Sequence, residues 1–184
     1  MGENFQFSRK QFILLFAGVF AAAFLGITAG TYFVKLEDGH DNAKPETLLK
    51  VGQVFPDSSF VGLDGRRVGL NGMLEGKKAL LYFLSTDCNP CEVLSGKFAE
   101  EFPKAGPEYK LIGISFEPMP KLIQYQEGKN LIFPLYNDSL GKFTGEYKIT
   151  GFPTLVGLNE KKEIVFVEFG DPKNMGLKDY LKRL

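Results

Sequence analysis

An α/β fold, a central sheet with helices over both faces, is what the sequence predicts, and three observations predict it. Short apolar runs rich in β-branched and aromatic residues alternate with stretches whose apolar residues recur at helical spacing. A hairpin signal stands at the front of the folded part. A second strand pair and a last helix close it. Alternation of this kind lays helices on the faces of a sheet, because each apolar helix stripe needs a sheet face to cover.

The N-terminus reads as a separate element. From Gln11 to Val34 no residue is charged, and nearly every one is apolar, Gly or Ala. At about 1.5 Å rise per residue, such a helix crosses a hydrocarbon core of about 30 Å with some tilt. Arg9 and Lys10 precede it, while Lys35, Glu37 and Asp38 follow. That bias puts residues 1–10 in the cytoplasm and the rest on the extracytoplasmic, periplasmic side of the cytoplasmic membrane, a single-pass anchor. A cleaved signal peptide, cut near Ala21-Ala22-Ala23 or Thr28-Ala29-Gly30, is the competing reading, although signal cores run about 7–15 residues. Either way the body is exported. Gly18, Ala22, Gly26 and Gly30 make a ladder of small residues along which membrane helices can approach. Residues 35–47, polar and containing Gly39 and Pro45, read as a tether. The one histidine, His40, is a solvated residue of that tether.

The folded domain spans 48–184. It opens on Gly52-Gln53-Val54-Phe55-Pro56-Asp57. Ser59–Leu63 and Arg66–Leu70 flank Asp64-Gly65, a dipeptide that suits a tight hairpin. Gly76-Lys77-Lys78 turns into the apolar strand Ala79–Leu84. A helix from Cys91 to about Phe102 carries Val93, Leu94, Phe98 and Phe102 at helical spacing. Lys110–Phe116 reads as a second buried strand, followed by helices over about Pro120–Glu127 and Leu140–Tyr147. Thr154–Leu158 and Glu163–Glu168 pair around Asn159–Lys162, and Met175–Leu184 is the closing helix.

Composition excludes some roles. The 184 residues hold 22 Lys and Arg against 22 Asp and Glu, so nothing electrostatic argues for nucleic acid or an acidic substrate. Two cysteines three residues apart do not make a disulfide framework. A bridge closing so short a loop also adds little stability. What remains is chemistry. Cys88-Asn89-Pro90-Cys91 sits where the strand Ala79–Leu84 hands over to a helix. The first N–H groups of a helix are unpaired and carry the positive end of its dipole, which favours a thiolate. A pair there can close to a disulfide and reopen with little movement. The thiolate is the attacking form in exchange.

These residues resemble a known family. The exported part is similar to membrane-anchored, extracytoplasmic thioredoxin-like proteins of the TlpA/ResA type, relatives of the AhpC/TSA branch, over about Lys50 to Gly170. The likeness rests on Val51–Asp57, the hairpin at Asp64-Gly65, Cys88-x-Pro90-Cys91, Phe133-Pro134-Leu135 with Asp138, and Thr150-Gly151-Phe152-Pro153-Thr154. It implies a thioredoxin-like fold: a central mixed sheet flanked by helices, with an N-terminal hairpin. It implies a thiol-disulfide oxidoreductase that reduces disulfides in exported proteins, apocytochrome c among them, without any cofactor beyond the Cys88–Cys91 disulfide and without metal. The implied partners are a disulfide-containing exported client and a membrane thiol carrier as electron donor, with the membrane held through Gln11–Val34.

Cys88, first and nearer the exposed N-terminal edge of the helix, is the expected nucleophile, and Cys91, one turn in, resolves the mixed disulfide. Pro153 is the implied cis proline, presenting the backbone of Phe152 to an extended client segment. Pro90 suits the helix start, where its missing N–H costs nothing. The chain departs from the family in two places. Asp87 stands where relatives carry an aromatic, and Leu94 where many carry a Glu. Asp87, Glu92 and Glu117 are the acids left to move protons. Asp87 either disfavours the Cys88 thiolate, which lowers the reduction potential, or caps the helix.

Two alternatives share the fold. A peroxiredoxin-like thiol peroxidase wants a Thr three residues before its cysteine, and Thr86 is only two before Cys88. A copper-chaperone-like protein wants wider cysteine spacing and a histidine on the domain, and here the spacing is short and His40 lies on the tether.

Overall fold

The computed structural model describes residues 45–171 and 174–184. Among them no helix is long and apolar enough to cross a membrane, and the span expected at Gln11–Val34 lies outside the described residues. His40 lies outside them too.

The chain runs β1 (Ser59–Gly62), β2 (Arg67–Gly69), α1 (Leu70–Leu74), β3 (Lys78–Phe83), α2 (Asn89–Glu101), β4 (Tyr109–Ser115), α3 (Met119–Gly128), β5 (Leu135–Asn137), α4 (Lys142–Glu146), β6 (Thr154–Leu158), β7 (Ile164–Phe169) and α5 (Leu177–Leu181). The strands form one mixed sheet in the order β2-β1-β5-β4-β3-β6-β7. The centre is parallel: β3 pairs with β4 from Lys78↔Tyr109 to Phe83↔Ile114, and β4 pairs with β5. The flanks are antiparallel, with β6 against β3 and β7 against β6 on one side, and the β1–β2 hairpin against β5 on the other.

β3 is an inner strand of this sheet buried on both faces, and its sequence says why. Every residue from Ala79 to Leu84 is buried, so the run has no polar face to show. Alternate side chains still go opposite ways. Ala79, Leu81 and Phe83 join Phe55, Phe60, Phe143 and Val156 on one face. Leu80, Tyr82 and Leu84 join Phe98, Phe133, Phe166 and Tyr180 on the other. The first face lies under α1 and α4, the second under α2 and α5.

The expected hairpin forms around Asp64-Gly65. Gly65 takes φ +80°, which only glycine adopts cheaply, and the Asp64 carboxylate accepts the Arg66 N–H at 2.9 Å. Four elements differ from the sequence reading. Leu70 starts α1, a short helix that the strand reading over Arg66–Leu70 did not include. Leu135–Asn137 forms a three-residue strand. The helix expected from Leu140 begins at Lys142, because Leu140 has φ +60° and Gly141 φ +63°. That left-handed pair bends the chain so the buried Asp138 carboxylate can accept N–H bonds from Phe143 (2.9 Å) and Thr144 (2.7 Å), capping α4 from outside it. The closing helix is shorter than Met175–Leu184, covering Leu177–Leu181.

The front of the domain is laced to its back. Gly52 N–H donates to Ile164 O and Ile164 N–H to Gln53 O, both at 2.8 Å, so the opening segment runs beside β7. Residues 45–47, assigned to the tether, run beside 147–150 and are bonded to them.

Candidate active site

The site is assembled at the C-terminal end of β3. Beyond Phe83 the strand is held one residue further by Leu84 N–H to Ile114 O at 2.9 Å. A tight loop over Ser85–Asp87 then delivers Cys88 to the N-cap of α2. Glu117, only 6 % exposed, is the post this loop is tied to. Its carboxylate accepts the Ser85 hydroxyl at 2.7 Å, the Thr86 N–H at 2.9 Å and the Ser115 hydroxyl. Three donors leave this buried carboxylate paired, as burial requires. Its backbone carbonyl accepts from the Asn137 amide at 2.6 Å, which joins the loop to the end of β5.

Cys88 and Cys91 are bonded as a disulfide, with Cα atoms 5.2 Å apart. The two sulfurs are not equivalent. Cys91 is fully buried, whereas Cys88 is half-buried and reaches the surface. The Cys91 N–H points at the Cys88 sulfur at 3.1 Å. A backbone donor aimed at sulfur favours the thiolate once the pair is reduced. Pro90 lies in the first turn, where it forfeits no intrahelical bond.

Asp87 does not cap α2: Cys88 is the cap, and the Asp87 carboxylate is paired with Lys121 of α3 at 2.5 Å. Glu92, one turn along, pairs with Lys129 at the other end of the same helix. Two of the three acids offered by the sequence as proton carriers are therefore matched by lysines across the α2–α3 groove. Glu117 sits behind the loop rather than beside it in the solvent.

The turn opposite is Thr150–Thr154. The Phe152–Pro153 bond is cis, and the Phe152 carbonyl oxygen lies 3.5 Å from the Cys88 sulfur. Thr154 Oγ1 donates to Gly151 O at 2.6 Å, and Gly170 N–H donates to Pro153 O at 2.7 Å, holding the turn from both sides. The Phe152 ring meets the Phe116 ring with centroids 5.5 Å apart. With Ile149 they wall a shallow cavity of about 360 Å³. Phe116 is 41 % exposed, which leaves an apolar rim beside Phe152, whose carbonyl faces the reactive sulfur.

Sequence reading missed Tyr82. Counted there as a strand residue, it donates its hydroxyl to Cys91 O at 2.8 Å and shares a 3.1 Å bond with the buried Ser95 hydroxyl. The Tyr125 hydroxyl donates to that same Ser95 at 3.0 Å. Burial pushes the Tyr82 phenol far above its ordinary value, against the smaller opposing effect of the Ser95 bond. It stays protonated and keeps the first turn of α2 in place. A tyrosine at an inward position of a central strand, facing a helix that starts with cysteine, was the available signal.

Among the described residues no group of three or more His, Cys, Asp or Glu is arranged to hold a metal ion.

Comparison with known proteins accords with this geometry. The sequence profile of the AhpC/TSA family matches residues 51–168. The sporulation thiol-disulfide oxidoreductase A of Bacillus subtilis is 30% identical over 112 residues, 58% of this chain and 67% of that protein. The thiol-disulfide oxidoreductase ResA of Halalkalibacterium halodurans is 27% identical over 142 residues, 74% of this chain and 78% of that one. The crystal structure of StoA from Bacillus subtilis superposes with TM-score 0.59 at 23% identity, covering 71% of this chain and 98% of that chain. This last likeness is one of fold, thioredoxin-like with a central mixed sheet and helices. With the profile spanning well over half of its length, this chain belongs to the AhpC/TSA family.

Proposed function

We propose that this chain reduces disulfides in exported proteins through the Cys88–Cys91 couple, working from the outer side of the cytoplasmic membrane. The chain is a thiol-disulfide oxidoreductase: its family, its named relatives and its closed cysteine pair agree. The observation that carries the direction of attack is the unequal exposure of the two sulfurs, with the Cys91 N–H aimed at the accessible one.

The reaction balances as two exchanges. In the reduced protein the Cys88 thiolate attacks one sulfur of a client disulfide. A Cys88–client bond forms, and the other client sulfur leaves as a thiolate that takes up a proton. The Cys91 thiolate then attacks the Cys88 sulfur, which frees the client as a dithiol and closes Cys88–Cys91. Two electrons pass from the pair to the client. The 5.2 Å Cα separation suits a bridge without backbone displacement. A thiol donor must then reopen the pair, and a carrier in the membrane fits an anchored domain.

The client lies extended across Phe152, with its backbone against the Phe152 carbonyl and an apolar side chain over Phe116 and Ile149. Apocytochromes c before haem attachment are one such client class, since they present paired cysteines on an open chain.

The test is trapping. Cys91→Ser should accumulate a covalent adduct with a disulfide-containing peptide, and Cys88→Ser should form none. An adduct through Cys91, or through neither cysteine, overturns these roles.

A further inference from the structure

We propose that Pro45–Leu49 is a strap that positions the client-facing turn, making Thr47, Thr150 and Gly151 positioning residues for the exchange at Cys88. The inference rests on the oxidoreductase reading and deepens it, because it assigns what holds the turn opposite the reactive sulfur.

The strap runs beside residues 147–150 and is bonded to them at each step. Glu46 N–H donates to Thr150 Oγ1 at 2.9 Å, and Thr150 N–H returns to Glu46 O at 3.3 Å. Thr47 Oγ1 donates to Tyr147 O at 2.9 Å, and Leu48 N–H donates to the same carbonyl at 2.8 Å. Leu49 then enters the core beside Ile149, which fixes the far end. At the near end Pro45 lies on Gly151. A Cβ added at Gly151 would collide with the Pro45 ring, with Phe169 Cδ1 at 3.5 Å as the next neighbour.

Gly151 does not have a left-handed φ. Its backbone would therefore accept any residue, and the contact with Pro45 is what excludes a side chain. Residue 152 follows directly, and its carbonyl is the atom 3.5 Å from the Cys88 sulfur. Pro45 and Glu46 are exposed and bury little apolar surface, so their bonds add little to global stability. What they govern is where Thr150 and Gly151 sit, and through them where Phe152 offers its carbonyl to a client. Small displacements of a binding group are enough to weaken productive alignment.

The experiment compares the full chain with Gly151→Ala, Thr150→Val and the double variant Gly151→Ala/Pro45→Gly. Two substrates are used: a synthetic peptide disulfide long enough to lie across Phe152, and oxidised glutathione, too small to reach the strap's side of the turn. Unfolding midpoints are recorded for each protein. We expect Gly151→Ala and Thr150→Val to raise KM for the peptide about three- to tenfold, at a kcat within twofold of the parent. Turnover of oxidised glutathione should stay within twofold. The double variant should restore the peptide KM, because removing the proline ring makes room for the new methyl group while leaving the Glu46–Thr150 bonds intact. An unchanged peptide KM in folded Gly151→Ala and Thr150→Val overturns the strap, and so does a double variant that fails to recover. If the parent protein turns over neither substrate, the oxidoreductase reading itself falls, and the strap with it.

Discussion

Asp87 stands next to Cys88, and an isolated carboxylate there would disfavour the thiolate and so lower the reduction potential. Lys121 changes the size of that effect. With its ammonium 2.5 Å from the Asp87 carboxylate, the Asp87 side chain largely in water and that of Lys121 partly so, the pair presents nearly no net charge to the sulfur. The two halves of the pair can be separated by substitution. Asp87→Asn removes the negative member, leaves Lys121 to favour the thiolate, and should raise the potential. Lys121→Gln leaves the carboxylate alone and should lower it. Each shift should be on the order of 10 mV, a factor of about two in the exchange constant, and should shrink as ionic strength rises. Equilibration against glutathione at two salt concentrations measures it. Shifts of the same sign in both variants would show that the pair acts through structure rather than charge. Nothing in the sequence paired these residues, because they come from different elements 34 positions apart. Glu117 was named as an acid available near the site to move protons, but its work, holding the Ser85–Asp87 loop, became visible only with its three donors in view.

At the scale of elements, the parts read correctly were those whose pattern is local. β3 announced itself as an unbroken apolar run, β6 and β7 as two such runs about a turn, and α2 as a helix beginning at a cysteine pair. The misses were short elements stabilised from outside. β5 has three residues and exists because β4 and β1 lie on either side of it. α1 has five, and its Leu70, Met73 and Leu74 are drawn down by the face of the sheet. α4 starts late because Asp138, four residues before it, supplies its cap, which forces Leu140 into a left-handed conformation. A leucine there costs about 1 kcal/mol, and its side chain, fully exposed, recovers nothing by packing. Leu140→Asn should therefore raise stability by about 0.5–1 kcal/mol, read as a higher denaturant midpoint at unchanged slope. A lower midpoint would mean that the Leu140 side chain is held by contacts absent from this structure.

At the scale of the molecule, one sheet separates two apolar layers and delivers a strand end, a helix start and a turn to one rim. The two sulfurs, the Phe152 carbonyl and the Phe116 ring meet there, although they come from segments scattered over more than sixty residues. The family pattern made the cysteines and the cis proline legible in advance. The apolar rim and the Tyr82 hydroxyl beneath Cys91 depend on which side chains share a face, and that follows from the sheet order. The proposed function makes the Cys88–Cys91 couple a reductant. The measurement that tests it most directly is the couple's reduction potential, taken on the protein with both cysteines intact. A reductant of this kind should lie near thioredoxin, at about −270 mV. A value near −120 mV, where strong oxidants lie, would contradict it.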